Sequence, residues 1–235
     1  MKVRNLRMAL VACLALAFPS ILLADVAYDA GSQAEATSVN HAATGADRIA
    51  VACMAWWGNT ASITGMTSNS VAMTQIGSTQ THPDSDNQKI AAFYILNPST
   101  SSVTYAATFS GSPILNYIQV MTFTGASGVG TSAANTPSGD ENATTVNVTS
   151  ATGGMVADCM YAGIPAGGTT IGAGQTQRLS AVDWGGNGLQ NRTSTEAGAA
   201  SVTMSWSSTV GTDLVKWLQI AVPITAAGGA SSGLL

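Results

Sequence analysis

Residues 47–57, DRIAVACMAWW, are the stretch from which the fold can be predicted. The residues at 49, 51, 53 and 55 are apolar, and so are those at 50, 52, 54 and 56. In a β-strand these two sets point to opposite faces, so the strand is apolar on both sides. A strand of that kind lies inside a layered structure. The stretch also contains Cys53, one of three cysteines in the chain.

The rest of the chain consists of short β-like runs separated by Gly, Ser, Asn, Asp and Pro, and no segment after residue 24 has a helical pattern. We predict an all-β fold: an antiparallel two-sheet sandwich of jelly-roll type with about a dozen strands, after an N-terminal signal helix. We predict that residues 25–227 form a single β-sandwich domain and that 228–235 form a flexible Gly/Ser tail. The stretch 128–142 is interpreted as a long loop between two halves. The predicted strands are 26–30, 34–43, 48–57, 62–66, 71–79, 89–96, 102–109, 115–125, 144–149, 155–161, 169–179, 202–207 and 214–224.

The N-terminus has the layout of a secretory signal peptide. Lys2, Arg4 and Arg7 precede an apolar run over 8–23, and Ala24 is the predicted residue before cleavage. We therefore expect residues 1–24 to be removed, no membrane span to remain, and the protein to be secreted, extracellular or at the cell surface.

The charge pattern bears on the possible partners. Only 9% of residues are charged, and residues 25–235 contain five Lys and Arg against twelve Asp and Glu, a net charge of −7. Nucleic-acid binding requires clustered basic residues, so we expect no nucleic-acid partner.

Two cysteines, Cys53 and Cys159, remain after the predicted cleavage. Each occurs in a β-like run, IAVAC at 49–53 and MVADC at 155–159, and Cys159 shares a face with Met155 and Tyr161. Asp158 points the other way, to solvent or to a polar partner. An exported protein with an even number of cysteines permits a disulfide, and the alternative is two buried thiols.

Five segments carry a family resemblance, at 45–51, 91–98, 120–125, 172–178 and 200–206. They resemble secreted bacterial β-sandwich domains of the concanavalin A-like lectin/glucanase type. The resemblance implies a jelly roll, export, and frequent roles in surface or adhesive proteins, but no catalytic residue. The glucanase branch has a Glu-x-Asp-x-x-Glu strand motif, whereas Glu35, Glu141 and Glu196 lie far apart in this chain.

The best candidate for glycan binding is the glycine-rich segment at 183–188, DWGGNG. An aromatic face for the sugar ring with nearby carboxylate and amide groups suits a lectin, so Asp183, Trp184 and Asn187 are candidates, with Trp57 as a second stacking residue. The alternative is that Trp184 folds over the rim of a sheet.

A weak calcium site is predicted at Asp84, Asp86 and Asn87, because hard cations prefer oxygen ligands. The alternative is a solvated turn. His41 and His82 are the only histidines and are expected on the surface, and no Gly-x-Ser-x-Gly motif occurs.

These observations predict a non-catalytic extracellular or cell-surface protein, structural or adhesive, which could self-associate as a subunit of a filament or matrix. The alternatives are a lectin-like carbohydrate-binding module and, third, a glycan-active enzyme.

Overall fold

A computed structural model describes residues 25–58, 60–138, 141–163, 168–182, 189–209 and 215–228. Every regular element in these residues is a β-strand. The strands are β1 (Ala27–Ala34), β2 (Ser38–His41), β3 (Ile49–Trp57), β4 (Ile63–Ser68), β5 (Val71–Ala72), β6 (Thr74–His82), β7 (Ser85–Leu96), β8 (Val103–Phe109), β9 (Leu115–Thr124), β10 (Ala126–Val129), β11 (Ala133–Asn135), β12 (Ala143–Val148), β13 (Met155–Gly163), β14 (Thr169–Ile171), β15 (Thr176–Val182), β16 (Leu189–Ala197), β17 (Val202–Ser208) and β18 (Lys216–Ala226).

The first nine strands form two antiparallel sheets. Sheet I has the order β1-β9-β3-β7-β6, and sheet II has the order β2-β8-β4-β5. Strand pairing is nested: β1 pairs with β9, β2 with β8, and β3 with β7. This is a long hairpin rolled into two facing sheets, which is the jelly-roll arrangement. We call sheets I and II the first jelly roll.

The last nine strands repeat this plan. Sheet III has the order β10-β18-β13-β16-β15, with β11 also paired to β18, and sheet IV has the order β12-β17-β14. Sheet III therefore has the strand order of sheet I: β10, β18, β13, β16 and β15 take the places of β1, β9, β3, β7 and β6. We call sheets III and IV the second jelly roll.

The four sheets are stacked in the order II, I, III, IV. One apolar cluster combines residues of sheets I and III, and we call it the seam cluster. A second cluster fills the space between sheets I and II, and two smaller ones lie between sheets III and IV. Strand β3 therefore contacts sheet III through Cys53 and sheet II through Met54, and both side chains are fully buried. Burial on both faces is the outcome that its sequence predicts.

The all-β antiparallel sandwich of jelly-roll type is confirmed, with more strands and sheets than predicted. Two details differ from the expectation. The segment 128–142 is not one loop, because β11 within it pairs with β18. Strand β16 was not predicted, although it lies inside sheet III between β13 and β15. The single-domain boundaries remain a prediction, and the predicted signal segment and the tail beyond residue 228 lie outside the described residues.

Candidate functional site

A disulfide joins Cys53 to Cys159 at the middle of the seam. Their Cα atoms are 5.8 Å apart, and 106 positions separate them in the chain. Each cysteine is the fifth residue of its strand, β3 or β13, and the two strands hold the same place in their sheets. The predicted pairing is confirmed, and the bond links equivalent positions of the two jelly rolls. Both side chains are fully buried.

Amide side chains lie beside the disulfide in the otherwise apolar seam. The Gln119 Nε2 group donates to Gln33 Oε1 at 3.0 Å and to the Asn191 backbone oxygen at 3.3 Å. The Gln33 Nε2 group donates to the Ser180 backbone oxygen at 2.9 Å. These bonds connect sheet I to sheet III, so polar as well as apolar contacts hold the rolls together. The Gln119 Oε1 atom and the side-chain amide of Asn191 are buried without a protein partner, as is typical of groups that bind internal water.

Trp57 lies at one end of this seam. Its side chain is half-buried and packs against the seam cluster. Trp57 pairs with Gln88 of β7, and the Gln88 Nε2 atom lies 2.9 Å from where a Cβ on Gly163 would stand. Gly163 pairs in turn with Leu189, the residue that follows the segment 183–188. Trp57 and the strand that follows the predicted glycan loop therefore meet at the same end of the molecule. Asp183, Trp184 and Asn187 themselves lie outside the described residues.

Of the predicted calcium residues, Asp84 lies in the turn between β6 and β7, whereas Asp86 and Asn87 belong to the start of β7 and not to a loop. The Asp84 backbone N–H donates to His82 Nδ1 at 3.2 Å, and the Asp84 backbone oxygen accepts from Lys216 Nζ at 3.3 Å. The side chain of Asp86 lies outside the described part of the structure. Within the part described, no three His, Cys, Asp or Glu side chains are grouped to hold a metal ion. The calcium site, which would also use the Asn87 amide, stays a prediction.

The prediction that both histidines are on the surface is wrong. His82 is fully buried, and His41 is 4% exposed between sheets I and II. The Ser32 Oγ atom lies 2.9 Å from His41 Nδ1, and His41 Nε2 lies 3.0 Å from Thr122 Oγ1. Thr122 donates its hydroxyl proton to Asp29 Oδ2 at 2.9 Å. Because the Thr122 hydroxyl proton is used for Asp29, the Thr122 oxygen can only accept a hydrogen bond from His41, and His41 Nε2 must carry the proton. The other ring nitrogen, Nδ1, then accepts from the Ser32 hydroxyl group.

The carboxylate at the end of this chain of hydrogen bonds is well supplied with donors. Thr44 donates to Asp29 through its backbone N–H, at 2.7 Å, and through its hydroxyl group. Burial alone would raise the pKa of Asp29, but the bonds from Thr44 and Thr122 lower it overall. In a Ser-His-Asp triad the carboxylate is buried and bonds the histidine directly, whereas Asp29 is reached only through Thr122 and its two bonds from Thr44 are solvent-exposed. We interpret the network as a structural tie between β1, β2 and β9.

The second jelly roll has a fully buried carboxylate, Asp158. It accepts from the Ser194 backbone N–H at 2.8 Å and from the Ser194 hydroxyl at 2.7 Å. The Trp206 Nε1 group donates to Oδ2 at 2.6 Å, and the Gln219 Nε2 group donates to the same oxygen at 2.8 Å. Burial raises the pKa of Asp158 to about 6, even though these hydrogen bonds favour the charged form. Of the two alternatives for Asp158, solvent or a polar partner, the structure shows the polar partner.

Sequence reasoning found Asp158 but not its partners, and it missed the His41 network. The signal for Asp158 was a charged residue inside an apolar run. For His41 there was no comparable signal, because residues 38–41, SVNH, are polar like the loops around them.

Comparison of the chain with protein-family models, curated proteins and solved structures gives no match. A search of the described residues for a helix long and apolar enough to span a membrane finds none.

Proposed function

We propose that this protein is a non-catalytic extracellular or cell-surface component with a structural or adhesive role, a subunit of a filament or matrix. The observation that carries the proposal is the disulfide between equivalent central strands of two jelly rolls. Buried disulfides of this kind persist in oxidising compartments. A covalent link at the shared core also suits a protein that must keep its shape outside the cell.

Three further features support the proposal. The N-terminus has the layout of an export signal, and few charged residues follow it. We include in the proposal the resemblance of the chain to secreted concanavalin A-like sandwich domains. This resemblance agrees with the antiparallel strand order of a jelly roll. The described residues bury a large set of apolar side chains, as a stable building block requires.

The test uses the exported protein. We expect Asp25 as its first residue by N-terminal sequencing, and oligomers or fibres of the purified chain by sedimentation and electron microscopy. If the exported chain stays monomeric at millimolar concentration and forms no fibres, the assembly proposal is wrong.

A second candidate function is carbohydrate binding at the end of the seam. The supporting observation is that half-buried Trp57 lies at the same end as Leu189, which follows the glycine-rich segment. On a glycan array, Trp57→Ala and Trp184→Ala should each lose binding that the wild type shows. Ile114→Ala is the matched control, because it removes a large apolar side chain beside Trp57 that is not aromatic. Ile114 is 68% exposed, and its backbone N–H donates to the Trp57 backbone oxygen. A wild type that binds no glycan would remove this candidate.

A further inference from the structure

The sheet edges of this protein are not equally protected. An unpaired strand edge invites pairing with another chain, and proteins block it with short strands, bulges or charges. Among the described strands, β2, β5, β10, β11 and β14 have four residues or fewer. The longer edge strands β1, β6 and β15 each contain a shift in register. In β6 the shift contains Gly77, at a φ of 63°, and β15 also carries Arg178.

Strand β12 is the described edge strand without any of these devices. It has six residues, ATTVNV, with no charge, proline or glycine. All six pair with β17 in unbroken register, and β12 lies at the end of sheet IV. Its side chains alternate between exposed and buried, as in a regular strand on a sandwich surface.

Two hydrogen bonds establish which backbone groups of β12 face away from β17. The Ser208 N–H donates to the Asn142 backbone oxygen at 2.8 Å, so even-numbered residues direct their backbone groups toward β17. The Asn135 Nδ2 group donates to the Thr145 backbone oxygen at 3.0 Å from outside the sheet. The backbone groups of Ala143, Thr145 and Asn147 therefore point outward, along an edge that no described strand pairs and that the Asn135 side chain of β11 touches at Thr145.

We propose that β12 pairs antiparallel with β12 of a second copy of this chain, about a two-fold axis at Thr145. This deepens the proposed function, on which it rests. In that register Thr145 lies opposite Thr145, a favourable cross-strand pair, and Ala143 lies opposite Asn147. No charges are opposed. The contact is isologous, so one strand supplies both halves, and sheets IV of two molecules become one continuous sheet.

Asn135 competes with this pairing. Its side chain occupies the Thr145 backbone oxygen, which the partner strand would otherwise use. Dimer formation requires Asn135 to release that oxygen. Removing the Asn135 amide should therefore strengthen association, and blocking the edge should weaken it.

The experiment compares Asn147→Pro with Asn147→Ala in the exported full chain by analytical ultracentrifugation. Proline removes an outward N–H but no backbone hydrogen bond to β17, and an edge strand tolerates it. Because of the two-fold axis, the dimer loses this hydrogen bond twice, once from each copy. We therefore expect dimerisation to weaken roughly 10–100-fold in Asn147→Pro. Asn147→Ala keeps the N–H and should dimerise like the wild type, although both variants lose the Thr203 bond to the Asn147 side chain.

Asn135→Ala should change the dimerisation affinity in the opposite direction. It frees the Thr145 backbone oxygen, so its dimer should be tighter than that of the wild type. Unchanged assembly of Asn147→Pro would overturn the β12 proposal but leave the proposed function standing, since another surface would then be responsible. A wild type that remains monomeric, with Asn135→Ala monomeric as well, would overturn both.

Discussion

The two jelly rolls share a strand order but differ in what fills the space between their sheets. Ala52 and Asp158 are both the fourth residue of equivalent strands, β3 and β13, and both are fully buried. Ala52 pairs with Phe93, whereas Asp158 pairs with Ser194. The first interior combines an apolar cluster around Ala52 with the separate His41 network, and the second is organised around a carboxylate with four hydrogen bonds.

The difference shows that one strand order admits two solutions to the same packing problem. Apolar side chains fill space without needing directed partners, whereas a buried carboxylate is tolerated only when its oxygens are satisfied. Asp158 meets that condition through residues of three other segments, represented by Ser194, Trp206 and Gln219. The first roll should therefore tolerate changes of apolar shape, and the second should be sensitive to the loss of any one donor.

The largest expected effect tests whether the rolls behave as one unit. Replacing Cys53 and Cys159 by Ala opens a loop spanning 106 positions, and we expect the free energy of unfolding to fall by about 4–5 kcal/mol. Urea unfolding followed by tryptophan fluorescence reports on both rolls, through Trp56 in one and Trp206 in the other. Because the seam cluster draws on both rolls, the transition should stay single. Two separate transitions would show that the rolls unfold independently.

The next effect comes from exchanging the residue types at the equivalent positions 52 and 158. Ala52→Asp buries a carboxylate among apolar neighbours without donors, and should cost about 3–5 kcal/mol of unfolding free energy. Asp158→Ala leaves the donors of Ser194, Trp206 and Gln219 unsatisfied, and should cost about 3 kcal/mol. The control is Ala52→Val, which adds only apolar volume. A neutral Ala52→Asp would mean that water reaches the first interior.

The contrast also explains how far sequence could predict the structure. Strands β3 and β13 were predicted because their apolar runs are long, and the jelly-roll class followed from strand spacing. Strand β16 was missed because its buried residues are mostly polar: Gln190, Asn191, Thr193, Ser194 and Thr195. Their burial depends on partners brought close only by folding, such as Asp158. The duplicated strand order was likewise hidden, because equivalent positions carry different side chains, as Phe93 and Ser194 do.

A smaller effect concerns the pH dependence of the second roll. The pKa of Asp158 is raised to about 6 from an ordinary value of 3.8, so the folded state binds its proton more tightly than the unfolded state. The contribution of Asp158 to stability is greatest below about pH 4 and is lost as the pH rises through 6, a change of about 3 kcal/mol. The Gln219 Oε1 atom has no other partner in the described structure, and a rotated amide could accept the carboxyl proton. Unfolding free energies between pH 4 and 7 should show this decline in the wild type and not in Asp158→Asn.

The smallest effect comes from the first roll and has the opposite sign. Burial lowers the pKa of His41, although Asp29 acts to raise it, so the unfolded state binds the proton more tightly. The contribution of His41 is therefore present above its ordinary pKa of 6.5 and is lost as the pH falls below it. His41→Gln keeps hydrogen-bonding capacity but does not titrate, and should change the free energy of unfolding by less than about 1 kcal/mol at pH 7.5. Between pH 5 and 7 the variant should lose the acid-dependent destabilisation and retain the Asp158 slope. A His41→Gln variant whose pH profile matches the wild type would show that His41 is not the titrating group. Opposite slopes of unfolding free energy against pH in His41→Gln and Asp158→Asn would assign one proton-linked site to each roll.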